Sequence, residues 1–270
     1  MLIAMATANF FSIPFEQALA IIQKAGFEYV ELDGYWKGGG HWEAAQHLRD
    51  IRPQDAVKMV ADSGLKIASF HDMGGVIEDG VNSIISPLTY EYLERVDIPC
   101  LIFHTPHRKT NDAGWWDTYR QVAGADLVTI RDGRIVCVEN LANFPGYVVP
   151  LLAPEDMRAF VEEAGVYATL DTTHHAQCAT DISLAAAVLG KRVKTVHLSD
   201  YMNGRSHVFI GDGELDFQAF YSSLDLDALY LSTIECDILS AARDEQAAVD
   251  RARQARELVA RLTAGHAATP

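Results

Sequence analysis

Helical segments that end in glycine and run straight into an apolar strand recur along this chain at roughly 30-residue spacing, the length of one βα unit. The clearest are QKAG followed by FEYVEL at Gly26, ADSG followed by LKIASF at Gly64, and EEAG followed by VYATL at Gly165. Glycine tolerates the left-handed backbone of the residue just past a helix end, so each marks a chain reversal. Pro14, Pro53 and Pro154, each near acidic residues, suit the first turns of helices. Strands are predicted near 2–6, 28–32, 66–70, 99–104, 134–139, 167–171, 193–197 and 230–235. Helices are predicted near 14–25, 53–63, 86–95, 114–124, 155–164, 181–189, 216–223 and 241–262. Eight βα units in order favour a single closed (β/α)8 TIM barrel over residues 1–262, of the α/β class. A doubly wound open sheet usually carries a phosphate-binding glycine turn after its first strand, and here that turn reads ATANFFSIP, without glycine.

The 270 residues and 49% hydrophobic content supply a substantial core for one such domain. No apolar run approaches the ~20 residues needed to cross a bilayer, and the first residues lack a charged n-region. The expectation is a soluble, cytoplasmic protein with no membrane partner. Cys100, Cys137, Cys178 and Cys236 form no CxxC pair, and the first two fall in predicted strands as buried thiols. The net charge of −15, from 37 acidic and 22 basic residues, argues against nucleic acid as a partner. Arg108 and Lys109 are the one basic pair near the predicted mouth. The tail over 263–270, TAGHAATP, reads as disordered. The glycine-rich loop 34–47, with two tryptophans, is either a lid over the mouth or a solvent loop anchored by Trp36.

Each strand-like segment ends in, or is closely followed by, a potential metal ligand or acid/base group. The register is clearest at FHD (His71), IFHT (His104), VEN (Glu139), LDTTH (Asp171 and His174), VHLSD (His197) and IEC (Glu235). In a parallel α/β barrel the C-terminal strand ends converge on one mouth, where distant residues meet. Glu139, Asp171, His197 and Glu235 end strands five to eight. Carboxylates and imidazoles of this kind describe a catalytic divalent site with open positions. Mixed oxygen and nitrogen donors without thiolate suit Mn²⁺, Co²⁺, Zn²⁺ or Mg²⁺. Any one of these carboxylates alone reads more readily as a helix cap or surface charge; four at equivalent register do not.

Taken together, VEN, LDTTH, VHLSD and the later HVFIGDGELDF resemble the xylose-isomerase-like barrel superfamily of sugar phosphate isomerases and epimerases. That superfamily includes ketose 3-epimerases, hydroxypyruvate isomerases, inosose-processing enzymes, dehydroshikimate dehydratases and apurinic endonucleases of the endonuclease IV type. The resemblance covers nearly the whole chain. It implies that Glu139, Asp171, His197 and Glu235 hold one divalent metal, that Glu139 and Glu235 serve as acid and base, and that His174 and His207 contact a small-molecule substrate. Dimers and tetramers are usual among such relatives, so a homodimer or homotetramer is implied.

The chemistry is consistent with that carry-over. A metal chelating adjacent carbonyl and hydroxyl oxygens of a sugar acidifies the intervening C–H and stabilises the enediolate. Carboxylates on opposite faces then invert the carbon; a single shuttling carboxylate gives aldose–ketose isomerisation; loss of a β-hydroxyl gives a dehydratase. The two glutamates permit all three. The expected function is therefore a metal-dependent isomerase or epimerase acting on a sugar, sugar phosphate or related hydroxy-keto compound, with a lyase on the same site as an alternative.

The resemblance to the endonuclease branch implies a further alternative, a multi-metal phosphoesterase. There His71, His104 and Glu139 correspond to a second metal site, and His174 with His207 to most of a third. Arg205 stands where that branch has its ninth ligand, an aspartate, and a cation there repels a third metal and suits an anionic substrate. In sugar-acting relatives His71 and His104 instead line the pocket. A non-enzymatic sensor on the same scaffold would be favoured only if Glu139 or Glu235 were missing.

Other residues carry weaker signals. Gly211 and Gly213 bracket Asp212 in a turn, and Asp216 is a natural N-cap for FQAFYSSL. His107 and Arg108 read as a loop or as a substrate contact. Trp115 and Trp116 read as one core residue and one pocket wall. Glu31 is placed to hydrogen-bond a pocket group, since a buried carboxylate needs a partner. His175 is expected to point away from His174, and His41, His47 and His266 to lie on the surface.

Overall fold

The structure is a computed structural model that describes residues 1–34, 51–73, 85–105, 113–143 and 149–264; within these, the side chains of residues 87, 113–116, 118 and 122 are not described. Eight parallel strands close into a barrel: β1 (Leu2–Ala6), β2 (Tyr29–Gly34), β3 (Lys66–Asp72), β4 (Cys100–His104), β5 (Ile135–Glu139), β6 (Tyr167–Asp171), β7 (Val193–Leu198) and β10 (Leu231–Ile234). Strands β8 (Asp200–Met202) and β9 (Arg205–Val208) form a separate antiparallel hairpin at the end of β7. The barrel closes where β1 pairs with both β2 and β10.

The glycine reversals work as the sequence predicts. Gly26, Gly64 and Gly165 have φ of +88°, +78° and +67°. In each case the N–H of the residue after the glycine reaches back to a carbonyl in the last turn of the helix: Phe27 to Ile22, Leu65 to Val60 and Val166 to Val161, at 3.0–3.3 Å. This hydrogen-bond pattern satisfies carbonyls that the helix end would leave bare and turns the chain directly into the next strand. Pro53 and Pro154 occupy first-turn positions, while Pro14 sits one place earlier, at the N-cap of the helix Phe15–Lys24.

Four elements depart from the sequence expectation. A short helix, Thr172–Gln177, opens immediately after β6, capped by the Asp171 carboxylate through the His174 N–H. The β8–β9 hairpin replaces a plain loop. The fourth predicted helix runs over Ala113–Ile130, beyond its expected end at 124. The final helix, Glu245–Ala264, extends past the boundary drawn at 262. Residues 265–270, with His266, lie outside the described residues, as do 35–47 of the lid loop with His41 and His47, and also His107, Arg108 and Lys109. Trp115 and Trp116 fall in a described helix, but their side chains do not belong to the described set. Among the described residues no helix is long and apolar enough to cross a membrane.

The core between strands and outer helices is continuous, with Met5, Phe70, Phe103, Leu170, Phe220 and Ile234 among its fully buried members. Cys100 and Cys137 are buried free thiols on β4 and β5. Arg205 is exposed on β9, whereas Asp216 caps the helix Phe217–Ser223 by accepting from the Ala219 N–H at 2.9 Å.

Candidate metal centre at the barrel mouth

Strand register brings the acid and imidazole groups together in pairs. Asp33 is opposite His71 on β2 and β3, His104 opposite Glu139 on β4 and β5, and Asp171 opposite His197 on β6 and β7. Glu235 follows β10 directly, its N–H donating to the Leu198 carbonyl at 3.0 Å. Parallel strands of equal phase deliver equivalent positions to one end, which is why sequence-distant residues meet here.

Glu139 is the hub. Its Oε2 lies 2.9 Å from His71 Nε2, 3.3 Å from His197 Nδ1 and 3.6 Å from His104 Nε2. Its Oε1 lies 3.3 Å from His174 Nδ1. His197 Nδ1 is also 2.9 Å from Glu235 Oε2, so one imidazole nitrogen faces both glutamates. Three sets of side chains converge closely enough to share an ion: Glu31, His71, His197 and Glu235; His71, His104 and Glu139; and Glu139, Asp171 and His174. The four sequence-predicted ligands are thus divided between sets that overlap at His71 and at Glu139.

Local structure explains how each side chain is held. Asn140 bridges β5 and β6 with its side chain: Nδ2 donates to the Asp171 carbonyl at 3.1 Å, and Oδ1 accepts from the Asp171 N–H at 2.8 Å. The amide imitates a strand neighbour and extends the ladder one step beyond Glu139. The Asn140 carbonyl in turn lies 2.9 Å from His174 Nδ1. Asp171 uses Oδ1 to cap its helix and leaves Oδ2 buried without a hydrogen bond. His207 sits in the hairpin with φ of +52°, an unusual conformation for a side chain of this size, and its ring stands 5.5 Å from that of His174. Its Nδ1 is 3.3 Å from the Glu235 carbonyl. Arg205, in contrast, is exposed and is not brought into the cluster. His175 is buried beside His174 but belongs to none of the three sets.

Burial and charge compete throughout. Burial pushes the Glu139 carboxyl up, but the imidazoles of His197, His71 and His104 together outweigh it and hold the group well below its usual range. Glu235 is treated alike: burial raises it, His197 and His207 overcome that, and it falls to about 2. Burial raises Asp171, with His174 opposing. Burial would strip the proton from His197, yet Glu31, Glu139 and Glu235 raise it well above the ordinary imidazole value. His104, more exposed to burial than to any one carboxylate, is lowered to about 3.

These donors suit a divalent cation. Glu139 Oε1 and Oε2, Asp171 Oδ2, His197 Nδ1 and Glu235 Oε2 are all buried, close together and without a hydrogen bond. Buried polar atoms are ordinarily paired, so a convergent group left unpaired is a place built for something else. All-oxygen-and-nitrogen donors with no thiolate fit Mn²⁺, Co²⁺, Zn²⁺ or Mg²⁺ alike.

Sequence reasoning did not single out Asp33 or Asn140. Asp33 Oδ2 accepts from Thr7 Oγ1 at 2.9 Å and the Ala8 N–H at 2.7 Å, and burial raises its carboxyl to about 6. The Asp-Gly pair at 33–34 reads as a turn, whereas β2 continues through it. Gly34 is required there because a Cβ would collide with the Phe70 ring.

The comparisons agree with this architecture. The family model of the xylose isomerase-like TIM barrel matches residues 19–264. Similar solved structures include an L-ribulose 3-epimerase, 17% identical with a TM-score of 0.70 over 98% of this chain and 95% of that one. A D-psicose 3-epimerase determined in the presence of D-fructose is 17% identical, with a TM-score of 0.71 over 97% and 99%. A xylose isomerase domain protein from Alicyclobacillus acidocaldarius subsp. acidocaldarius is 19% identical, with a TM-score of 0.69 over 98% of both chains. No curated protein gives a significant match. With its closed barrel and a family match spanning most of its length, this chain belongs to the xylose isomerase-like TIM barrel family.

Proposed function

We propose that this protein is a divalent-metal-dependent isomerase or epimerase of a keto sugar, sugar phosphate or related hydroxy-keto compound. The observation that carries the proposal is the placing of two buried carboxylates, Glu139 and Glu235, 3.3 and 2.9 Å from the same nitrogen of His197. Glu139, Asp171, His197 and Glu235 would hold the ion. When bound, it supplies chelation of neighbouring carbonyl and hydroxyl oxygens and stabilises negative charge as it develops on them.

The chain's own groups do the rest. One glutamate accepts the proton from the carbon beside the carbonyl, and the second returns a proton to the other face, so that carbon is inverted. Imidazole neighbours hold both carboxyls ionised at neutral pH, so either can accept the proton, and the other must take one up from water before it delivers it to the opposite face. His174, fixed through Nδ1 by the Asn140 carbonyl, and His207, fixed against the Glu235 carbonyl, would contact substrate hydroxyls. The similarity in fold to 3-epimerases supports inversion at C3 over carbonyl migration. We further propose that the chain works as a homodimer or homotetramer.

Incubation with D-fructose, D-psicose, D-tagatose and L-ribulose in D₂O tests the proposal. The expected outcome is a C3 epimer carrying deuterium at C3. Deuterium at C1 would indicate aldose–ketose isomerisation, and release of a dehydrated dicarbonyl would indicate a lyase. A second reading, a multi-metal phosphoesterase, draws on the additional cluster of His71, His104 and Glu139. Hydrolysis of a phosphodiester with two or three metal ions per chain would establish it instead.

A further inference from the structure

Strand β2 sends two carboxylates inward, Glu31 and Asp33, and both end against imidazoles of the mouth. Glu31 Oε1 lies 3.0 Å from His197 Nε2, and Asp33 Oδ1 lies 3.5 Å from His71 Nδ1. In each ring the opposite nitrogen faces Glu139 Oε2, at 3.3 Å from His197 and 2.9 Å from His71. All four side chains are fully buried. Each imidazole therefore stands between a carboxylate of β2 behind it and the carboxylates of the candidate centre in front.

Glu31 is itself fastened. Its Oε2 accepts from Ser69 Oγ at 2.6 Å and from Thr233 Oγ1 at 3.2 Å. The second of these crosses β1, whose positions 4 and 6 are both alanine, leaving only methyl groups between β10 and β2. A register shift between Val30 and Glu31 accompanies the pairing of Glu31 with Ser69. Bulges of this kind re-aim a side chain at a barrel rim. Oε2 is committed to two hydroxyls, whereas Oε1 accepts no hydrogen bond and lies 3.0 Å from His197 Nε2, which likewise has no hydrogen-bond partner.

We infer that Glu31 is a positioning residue that holds His197 with its proton on Nε2, so that the Nδ1 lone pair faces Glu139 and Glu235, and that Asp33 does the same, at longer range, for His71. A ligating histidine is characteristically oriented by a carboxylate on its other nitrogen, and losing that partner typically weakens metal binding ~10–100-fold. Glu31 acts through His197 and not as a ligand. The inference rests on the metal-centre reading of the proposed function.

Two measurements on the full chain test it. The first is the tautomer of His197, read from imidazole ¹⁵N shifts in ¹⁵N-histidine-labelled, Zn²⁺-loaded protein, with His197→Gln for assignment. The second is Co²⁺ affinity by chelator competition together with the Co²⁺ visible spectrum at saturation. The expected results are an Nε2–H ring at His197 in the wild type and a ~10–100-fold weaker Co²⁺ affinity in Glu31→Leu, with stoichiometry and visible spectrum unchanged. Ser69→Ala, which removes one hydroxyl and little volume, should weaken Co²⁺ by a smaller factor and keeps the test open if Glu31→Leu does not fold. An Nδ1–H ring in the wild type, wild-type affinity in both variants, or a changed visible spectrum in Glu31→Leu would overturn the inference. A wild-type chain that binds neither Co²⁺ nor Zn²⁺ would sink the metal-centre reading, whereas wild-type affinity in both variants of a metal-binding chain would sink the Glu31 inference alone.

Discussion

Near the start of the barrel strands, Ala4, Ala68 and Leu231 pack together under Leu2, Tyr29 and Tyr230, and Cys100, Ile102 and Cys137 form a second apolar cluster. A few residues further along the same strands, the same inward positions carry Glu31, His71, Glu139, Asp171 and His197, all buried and many unpaired. One end of the barrel is made of groups content in each other's company. The other concentrates polar atoms whose burial is costly unless something completes them. The contrast teaches where stability and chemistry are housed: packing at the N-terminal half allows the C-terminal mouth to be electrostatically unfinished.

The sharpest way to break that division is at its hub. Glu139→Gln and Glu235→Gln should each lower turnover by at least ~10²-fold, as loss of a general acid or base does, while circular dichroism shows the fold retained. Activity above about a tenth of wild type in either would remove the two-carboxylate mechanism. The converse experiment lies at the other end. Leu231→Ala should cost ~2–5 kcal/mol in denaturant unfolding, the usual range for a buried leucine, yet leave metal stoichiometry unchanged. If metal content fell with stability, the two ends would not be separable.

A smaller effect should come from the seam between them. Asn140→Ala removes the side chain that pairs with both backbone groups of Asp171 and should destabilise by ~1–3 kcal/mol, with a measurable loss of metal affinity. Smallest of all is a control on the outer surface. Lys24→Ala breaks an exposed ion pair with Glu245 and should leave melting temperature and activity within error.

The barrel was legible because its signals are local: a glycine just past three of the helices, an apolar run, then an acid or imidazole. The acid and imidazole groups at the ends of β5, β6, β7 and β10 could be named for that reason. What held them could not. Asn140 reads as an ordinary loop residue until β6 is beside it, and Asp33 hides in an Asp-Gly turn signal that the Phe70 ring overrides. Arg205, suggested by its position in the chain as an anion contact, lies exposed on the hairpin, outside the buried cluster. The short helix after β6 has no apolar periodicity; it exists because Asp171 caps it, a contact that sequence spacing alone does not reveal.

The most direct test of the central claim is metal content by elemental analysis, on protein purified without chelator, for the wild type and for a Glu139→Gln/Glu235→Gln double variant. The account predicts one divalent ion per wild-type chain and less than about a tenth as much in the variant, in line with the loss of affinity expected when ligands are removed. A wild type without bound metal, or a double variant that retains a full equivalent, would contradict it.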